Sequence, residues 1–446
     1  MRLLSALYVS LGLATALTAP ALAAPALIAE GTLAGTSDLS GLTGKLENGM
    51  AANILGGTGS GIAYAGNGVF VAVPDRGPNA TAYNPKIDNT VTWIPRFHTV
   101  RMALAPAAAG AALPFTLTPT LTATTLLFSA TPLIYGNGAG LDIAAGAPAQ
   151  NAAGKFFFSG RSDNFDGKQL SGTAEFARLD PEAIQLSNDG RTVYLSDEYG
   201  PYVYAFDRAT GQRTRAYALP ANLNSPVLSP LGDTEIGENT RGRTANKGME
   251  GLAITPDGKT LVGVMQAALV QDNLVAVTKK LVRIVTIDIA SGATKQFGYM
   301  LTDGSGISEI IAINEHEFLL DERDGAGLGD NSAAKVKKIF KIDLANAADV
   351  TALSGQAAVD AAVKKTLFFD LVAELGKHGV KPEQVPSKIE GMAFGPDVTI
   401  NGATQHTLFI ANDNDFLPDV AGPNRFYVIA FTAADLPGLV QQKVAQ

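Results

Sequence analysis

Short apolar strands separated by turn residues recur along the chain from residue 59 onward. Each copy starts at a Gly or acidic residue, runs through an apolar strand, a Gly, Asp or Asn turn and a second apolar strand, and ends in acidic residues. The copies begin near Gly59, Pro181, Met249, Ser308 and Ile389. Asn-Gly and Asp-Gly turns between apolar runs are strong hairpin signals. The pattern predicts repeated antiparallel units.

The spacing of these units predicts an all-β fold of the β-propeller type. The anchor positions Gly61, Glu182, Glu250, Glu309 and Glu390 are separated by 121, 68, 59 and 81 residues. Because the first interval is about twice the others, we expect a degenerate copy within 100–165. Phe156-Phe157-Phe158 and the strands around residues 121–128 would be what remains of it. Five visible copies and one degenerate copy predict six blades, with five or seven also compatible. Further blade strands are predicted at 202–207, 281–289, 338–344 and 426–431.

One segment departs from the strand pattern. Residues 345–379 carry apolar positions at a spacing of three to four, notably in 359–363 and 367–375, and end at Gly376 and Gly379. This periodicity predicts a helical insertion within the last blades. No Pro- or Ser-rich linker divides the chain, so we expect residues 24–446 to form a single domain.

The first 23 residues have the pattern of a signal peptide. Arg2 precedes an apolar run, Leu3–Leu17, and an Ala-x-Ala sequence ends at Ala23. We therefore expect cleavage near that residue and a periplasmic or secreted protein. No later segment is apolar for long enough to span a membrane, so no membrane span is expected.

Composition narrows the possible chemistry. Zero Cys excludes disulfide scaffolds, thiolate metal sites and a cysteine nucleophile. A net charge of −8 without a Lys/Arg run argues against nucleic-acid binding. The chain has only four His residues and no Gly-x-Ser-x-Gly sequence, so neither a His zinc site nor an α/β-hydrolase is expected.

Acidic residues occupy equivalent points of the repeats. In a propeller the innermost strands face one channel, so such residues would converge there. Carboxylates at short range raise each other's pKa unless cations compensate them, and hard cations such as Ca²⁺ prefer oxygen ligands. The predicted metal ligands are Asp75, Glu182, Asp197, Glu198, Glu250, Glu309, Glu322, Glu390 and Asp413. An alternative is that each Glu caps backbone donors of a neighbouring blade as a structural latch.

Basic residues lie close to these acids in the sequence. Arg76, Lys247, Arg323 and Lys388 are each within three residues of a repeat carboxylate. Arg and Lys beside a cation-binding channel suit an anionic ester such as a phosphate. We predict Arg76, Lys247 and Arg323 as anion contacts and, with Glu250, as the catalytic set. The alternative role for each is internal pairing with surplus carboxylates.

Several strings together resemble a known family. Asp180-Pro181-Glu182-Ala183-Ile184, Ser196-Asp197-Glu198-Tyr199-Gly200-Pro201 and Lys247-Gly248-Met249-Glu250-Gly251-Leu252-Ala253 resemble exported bacterial phytase-like propellers. Glu390-Gly391-Met392-Ala393 and Asp75-Arg76-Gly77-Pro78-Asn79 fit the same pattern, and the resemblance covers about residues 50–432. It implies a propeller that holds Ca²⁺ and a phosphoester, with a metal-bound water as the attacking group.

Three functions remain compatible with the sequence. The first is a Ca²⁺-dependent phosphoester hydrolase acting on a small phosphorylated substrate, expected to be a monomer. The second is a lactonase or general esterase with the same metal centre. The third is a non-enzymatic propeller that binds a ligand or partner and uses Ca²⁺ structurally.

Overall fold

Five antiparallel sheets form a closed ring around a central channel. The computed structural model describes residues 25–79, 81–136, 141, 143, 146–168 and 173–446. The predicted signal peptide at 1–23 lies outside these residues. The propeller prediction is confirmed, and the number of blades is five.

Each blade has four main strands, counted from the channel outward. The first strand of the chain, β1 (Ala26–Thr32), is the outermost strand of blade five. Blade one contains β2 (Gly61–Gly66), β3 (Val69–Val73), β4 (Arg96–Pro106) and β5 (Phe115–Leu126), and a two-residue pair follows, β6 (Phe128–Ser129) with β7 (Phe156–Phe157). Blade two contains β8 (Ile184–Leu186), β9 (Thr192–Ser196), β10 (Tyr202–Asp207) and β11 (Arg213–Ala218). Blade three contains β12 (Met249–Ile254), β13 (Thr260–Met265), β14 (Leu281–Asp288) and β15 (Thr294–Met300).

Blade four contains β16 (Gly306–Ala312), β17 (Glu317–Arg323), β18 (Lys337–Asp343) and β19 (Lys365–Asp370). Blade five contains β20 (Ile389–Phe394), β22 (Ala403–Asn412), β23 (Arg425–Phe431) and β1, with β21 (Val398–Ile400) paired to β22. The helices of the described residues are α1 (Gly232–Glu238), α2 (Gly355–Asp360), α3 (Leu371–Lys377) and α4 (Pro418–Ala421). Short 3₁₀ turns occur at Pro85–Ile87, Ala221–Leu223, Thr278–Lys280 and Pro382–Gln384.

The preferred count of six blades was wrong because a long interval in sequence is not an extra blade. Strand β2 packs directly against β8, so nothing lies between blades one and two at the channel. The long strands β4 and β5, with 11 and 12 residues, account for part of the interval between Gly61 and Glu182. The Leu121 region, expected in the degenerate copy, belongs to β5, and Phe156 and Phe157 form only the two-residue strand β7.

The predicted turns and outer strands match the structure. Asn67 and Gly68 both have positive φ, 51° and 69°, in the tight turn between β2 and β3, as a type I′ hairpin requires. The strands predicted at 202–207, 281–289, 338–344 and 426–431 correspond to β10, β14, β18 and β23. Hydrophobic cores fill the spaces between neighbouring blades, with Leu252, Ile284 and Ile310 in the largest.

The insertion predicted at 345–379 is helical only in part. Helices α2 and α3 lie within it, but β19 occupies the part between them. The local periodicity of 367–375 is overridden at its start because β19 completes blade four by pairing along β18, from Lys338↔Asp370 to Ile342↔Lys365. Pairing with β18 therefore makes the start of this segment a strand and not a helix.

Glycines let the inner strands approach closely enough for a five-membered ring. A Cβ on Gly251 would lie 2.8 Å from Cα of Glu309 in the next blade. The Gly391 backbone N–H donates to Gly59 O at 2.8 Å, which joins blades five and one. The Glu-Gly pairs of the repeats therefore combine a channel-facing acid with a close backbone contact.

The two ends of the channel differ. Each inner strand begins at the end where the repeat acids lie, which we call the mouth, and runs to the opposite end. There, residues 436–446 form a strap across the channel. Its backbone N–H groups donate from Val440 to Ile313 O and from Ala445 to Asn188 O, both at 2.8 Å. Side chains of the strap also bond to other blades, from Gln441 to Gly395 O and from Gln446 to Ala65 O.

Candidate metal centre at the channel mouth

Antiparallel pairing explains why the predicted acids meet at the mouth. Glu182, Glu250 and Glu390 lie just before or at the start of an inner strand. The second strand of a blade runs the opposite way, so the residues that follow it return to the same end. Glu198 follows β9 and Asp413 follows β22. Residues far apart in sequence are thereby brought to one place.

Three buried carboxylates form the first triad: Asp180, Glu182 and Glu198. Each offers one oxygen, and these oxygens lie within 4.8 Å of one another. Arg76 binds Asp180 through its backbone N–H at 2.9 Å and through Nη1 at 2.6 Å, and its Nη1 is 3.8 Å from Glu198 Oε2. Within the described part of the chain, no hydrogen bond or ion pair reaches the Glu182 side chain, although that residue is only 7% exposed.

The first triad is strongly perturbed electrostatically. Burial and the neighbouring carboxylates Glu250, Asp180 and Glu198 raise the pKa of Glu182 well above its usual range. Burial and the same neighbours, Glu250 and Asp180, raise the pKa of Glu198. Burial opposes the charge of Arg76, but the nearby acids outweigh it and raise the pKa of this guanidinium. Arg76 therefore stays charged, but its single positive charge does not offset the negative charges of three carboxylates.

A second triad lies next to the first: Asp75, Asp413 and Asp415. Its contributed oxygens also lie within 4.8 Å of one another. Lys388 binds this triad, with Nζ 2.9 Å from Asp413 Oδ2 and 2.5 Å from Asp415 Oδ1. Burial and Asp413 raise the pKa of Asp75, whereas Arg76 and Lys388 lower it. The second triad thus already contains a cation.

Arg323 joins two further repeat acids across the channel. Its Nη2 lies 2.7 Å from Glu390 Oε1 and 3.5 Å from Glu250 Oε1. Gln266 Nε2 also donates to Glu250 Oε1 at 2.8 Å, whereas the buried Glu250 Oε2 has no partner among the described residues. Burial and Glu390 raise the pKa of Glu250 to about 8. Burial raises the pKa of Glu390 to about 8, although Arg323 and Lys388 oppose the shift.

The described mouth carries an excess of negative charge. Eight carboxylates face three cationic side chains there, an excess of five negative charges when all are ionised. The carboxylates are Asp75, Asp180, Glu182, Glu198, Glu250, Glu390, Asp413 and Asp415, and the cations are Arg76, Arg323 and Lys388. Such an excess must be relieved by retained protons or by bound cations.

Three predicted ligands lie elsewhere in hydrogen-bond networks. Asp197 accepts from the backbone N–H groups of Asp180, Tyr199 and Gly200, so it shapes the loop that presents the first triad. Burial raises the pKa of Asp197 to about 7. Its contacts are those of a turn-forming residue.

Glu309 has the geometry of the interblade latch. Its Oε1 accepts from the backbone N–H groups of Leu252, in the neighbouring blade, at 3.0 Å and of Ile310 at 2.9 Å. Its Oε2 is buried and has no partner among the described residues. Blade three is thereby tied to blade four by a side chain at a repeat-equivalent position.

Glu322 accepts hydrogen bonds from its own blade, from blade three and from the loop between these two blades. It accepts from the backbone N–H groups of 302–304, from Tyr299 and from Lys365, whose Nζ is 2.5 Å away. Its pKa is lowered because these donors, Lys365 foremost, outweigh burial. Glu322 and Asp197 join neither triad.

The predicted anion contacts differ in position. Arg76 and Arg323 lie among the mouth acids, with 15% and 12% of their side chains exposed. Lys247 is exposed, and no ion pair within the described residues includes it. It precedes Gly248, whose backbone N–H donates to Glu198 Oε1 at 3.3 Å. Lys247 therefore adjoins a residue that contacts the first triad, but among the described residues its own side chain pairs with none of the mouth acids.

Asp180 and Asp415 were missing from the predicted ligands, and Lys388 was not among the predicted anion contacts. Asp180 precedes Pro181 in the Asp-Pro-Glu string, and Asp415 ends the Asn-Asp-Asn-Asp string. Both lie in loops flanking a repeat acid, so the density of acids in these strings was the available signal. The sequence showed Lys388 two residues before Glu390, but its pairing with Asp413 and Asp415 was not predicted.

A family model described as "Phytase-like: Esterase-like activity of phytase" matches residues 53–416. The chain belongs to this phytase-like family. It is also similar to an uncharacterized secreted protein of the fungus Arthroderma benhamiae, with 28% identity over 316 residues. That match covers 57% of this chain and 61% of the relative, so this chain spans about three fifths of the relative's length.

Solved structures with similar folds are remote. Hydrazine synthase of Kuenenia stuttgartiensis matches with a TM-score of 0.34 and 12% identity, covering 86% of this chain and 82% of that one. A Lactobacillus plantarum protein matches at 0.33 and 11%, covering 89% and 88%. A luciferin-regenerating enzyme matches at 0.31 and 11%, covering 88% and 97%. These similarities carry no argument about activity.

The described residues contain no helix long and apolar enough to cross a bilayer. Family membership and the propeller fold are together consistent with a hydrolase.

Proposed function

We propose that this member of the phytase-like family is an exported, divalent-cation-dependent phosphoester hydrolase whose cation, in the first instance Ca²⁺, is held by the first triad. The observation that carries the proposal is the Glu182 carboxylate, buried beside Asp180 and Glu198 with no hydrogen-bond partner among the described residues. An ionised carboxylate that is largely buried beside two others, with no donor to offset its charge, is unfavourable, and a bound cation relieves the repulsion.

The donor set fits a hard cation. Three carboxylate oxygens within 4.8 Å of one another, with no sulfur or nitrogen ligand, suit Ca²⁺, which accepts irregular oxygen cages. A divalent cation held by Asp180, Glu182 and Glu198 would polarise an ester oxygen and lower the pKa of a bound water.

Two arginine side chains at the mouth supply positive charge for binding a phosphate ester. Arg76 is fixed by Asp180 beside the triad and remains partly exposed, so its guanidinium is positioned to bind a phosphate oxygen. Arg323 is held between Glu250 and Glu390 and adds a second positive charge. Both groups would stabilise the additional negative charge of a phosphoryl transition state.

Glu250 is suited to hold a proton at neutral pH. Its Oε1 accepts from Gln266, while Oε2 has no partner, so the proton belongs on Oε2. The raised pKa, about 8, keeps the acid protonated at pH 7. Such an acid can deliver its proton to a leaving alkoxide.

Two variants and one matched control test these roles. E182Q should lower hydrolysis by 100-fold or more at a fixed Ca²⁺ concentration because it removes a ligand charge. E250Q should abolish hydrolysis while keeping the fold, because Gln has the same shape and cannot give up a proton. E315Q, at an exposed acid, is the control and should behave as wild type.

Steady-state phosphate release and thermal melting are measured for each variant. Wild-type activity in either E182Q or E250Q would remove that residue from the site. Turnover of lactones or carboxylic esters with no phosphate release would favour the lactonase or esterase function. Melting temperatures raised by Ca²⁺ with no turnover at all would favour a binding propeller with a structural cation.

A further inference from the structure

The two triads differ in one respect that determines how many cations the mouth can hold. The first triad contains Glu182, which is unpartnered among the described residues. The second contains the Lys388 ammonium, bonded to both Asp413 and Asp415. Arg76 pairs with Asp180 and lies near Glu198 in the first triad, but within the described residues Glu182 is left without a donor. In the second triad every acid has one, because Asp75 accepts from the Gly77 backbone N–H at 2.9 Å and Lys388 bonds to the other two.

The backbone holds Lys388 in this place. It directly precedes β20, and the Asp413 backbone N–H donates to Lys388 O at 3.1 Å. The Asp415 backbone N–H in turn donates to Asp413 Oδ1 at 2.7 Å. The ladder between β20 and β22, which pairs Ile389 with Asn412, fixes both sides of the contact.

A tethered ammonium competes directly with a free cation for the same oxygens. Nζ already bonds to Asp413 Oδ2 and Asp415 Oδ1, two of the acids a divalent ion would need. Such an ion would either have to displace Nζ or accept a like charge beside it. Displacement is opposed because the lysine is attached to the site and does not dissociate from it.

We infer that Lys388 occupies the cation position of the second triad, so that the mouth binds one divalent cation, at the first triad, and gains a second site only when Lys388 is removed. This inference rests on the proposed cation site and goes beyond it by fixing the stoichiometry. It also gives Lys388 a defined role as a built-in counter-ion.

The test is a count of bound Ca²⁺ per chain by equilibrium dialysis and elemental analysis, with Ca²⁺ alone as the probe. Wild type should bind one ion and K388M two. D180N, which weakens the first triad, should bind none, and the double variant D180N/K388M should bind one. K279M, at an exposed lysine, is the matched control and should bind one.

The outcomes separate this inference from the proposed function. A wild type that binds no Ca²⁺ overturns the proposed cation site itself. A wild type with two ions, or a folded K388M with only one, overturns the role of Lys388 and leaves the first site in place. If melting shows that K388M is unfolded, K388Q replaces it and the same counts apply.

Discussion

Replacing Glu309 separates a latch from a metal ligand at one of the repeat positions. In the structure its Oε1 accepts from two buried backbone N–H groups, those of Leu252 and Ile310. E309A leaves both donors without an acceptor. An unsatisfied buried donor costs about 1–3 kcal/mol, so the free energy of unfolding should fall by about 2–6 kcal/mol.

E309Q is the matched variant because it keeps an amide oxygen where Oε1 accepts. It should be less destabilised than E309A. Urea denaturation followed by circular dichroism gives both free energies, and Ca²⁺ affinity is measured on the same samples. A folding free energy of E309A within about 0.5 kcal/mol of wild type would refute the latch. A loss of Ca²⁺ affinity in E309Q as large as in E182Q would also contradict it.

Two further predictions concern stability. Without divalent cations, the free energy of unfolding should fall as the pH rises from about 5 to 8, because Glu250 and Glu390 have pKa values near 8 in the folded protein and near 4.5 unfolded. The folded state binds the extra protons, so the stabilisation is complete below the unfolded pKa and is lost as the pH passes the folded one. Urea titrations of stripped protein at pH 5, 6.5 and 8 check this, and stability that rises over the range would contradict it. Removing 440–446 deletes four or more hydrogen bonds of the strap, at about 0.5–1.5 kcal/mol each, and should lower the melting temperature while Ca²⁺ binding persists. An unchanged melting temperature would show that the strap contributes nothing to stability.

The propeller could be predicted from the sequence because its repeats preserve a local pattern. Turns like Asn67-Gly68 recur between the first two strands of several blades, and Glu-Gly pairs recur at the start of inner strands. The blade count could not be predicted in the same way, since an interval of 121 residues measures chain length and not the number of inner strands. The long β4–β5 hairpin and the segment leading to β8 fill that interval outside the ring.

The candidate site was predicted in outline and not in its pairings. Repeat equivalence indicated Glu182, Glu250 and Glu390, which lie at the mouth in the structure. It also indicated Glu309, but there the side chain contacts a neighbouring backbone. The equivalence of two positions in the repeats does not specify which hydrogen-bond donor lies close to each side chain.

The pairings that could not be predicted depend on contacts between distant parts of the chain. Arg76 and Asp180 are 104 positions apart, and their pairing arises only when blades one and two meet. Lys388 reaches Asp413 and Asp415 because β20 and β22 are paired strands. Loop residues that complete a site across blades leave little trace in the periodic pattern.

The proposed Ca²⁺-dependent hydrolysis is tested most directly by phosphate release from a panel of phosphomonoesters and diesters by chelator-treated protein, with and without added Ca²⁺. We expect no release from the stripped protein and turnover restored by Ca²⁺, with the same ion restoring little in E182Q. Release that persists after complete removal of divalent cations, or none on any ester when Ca²⁺ is shown to be bound, would contradict it.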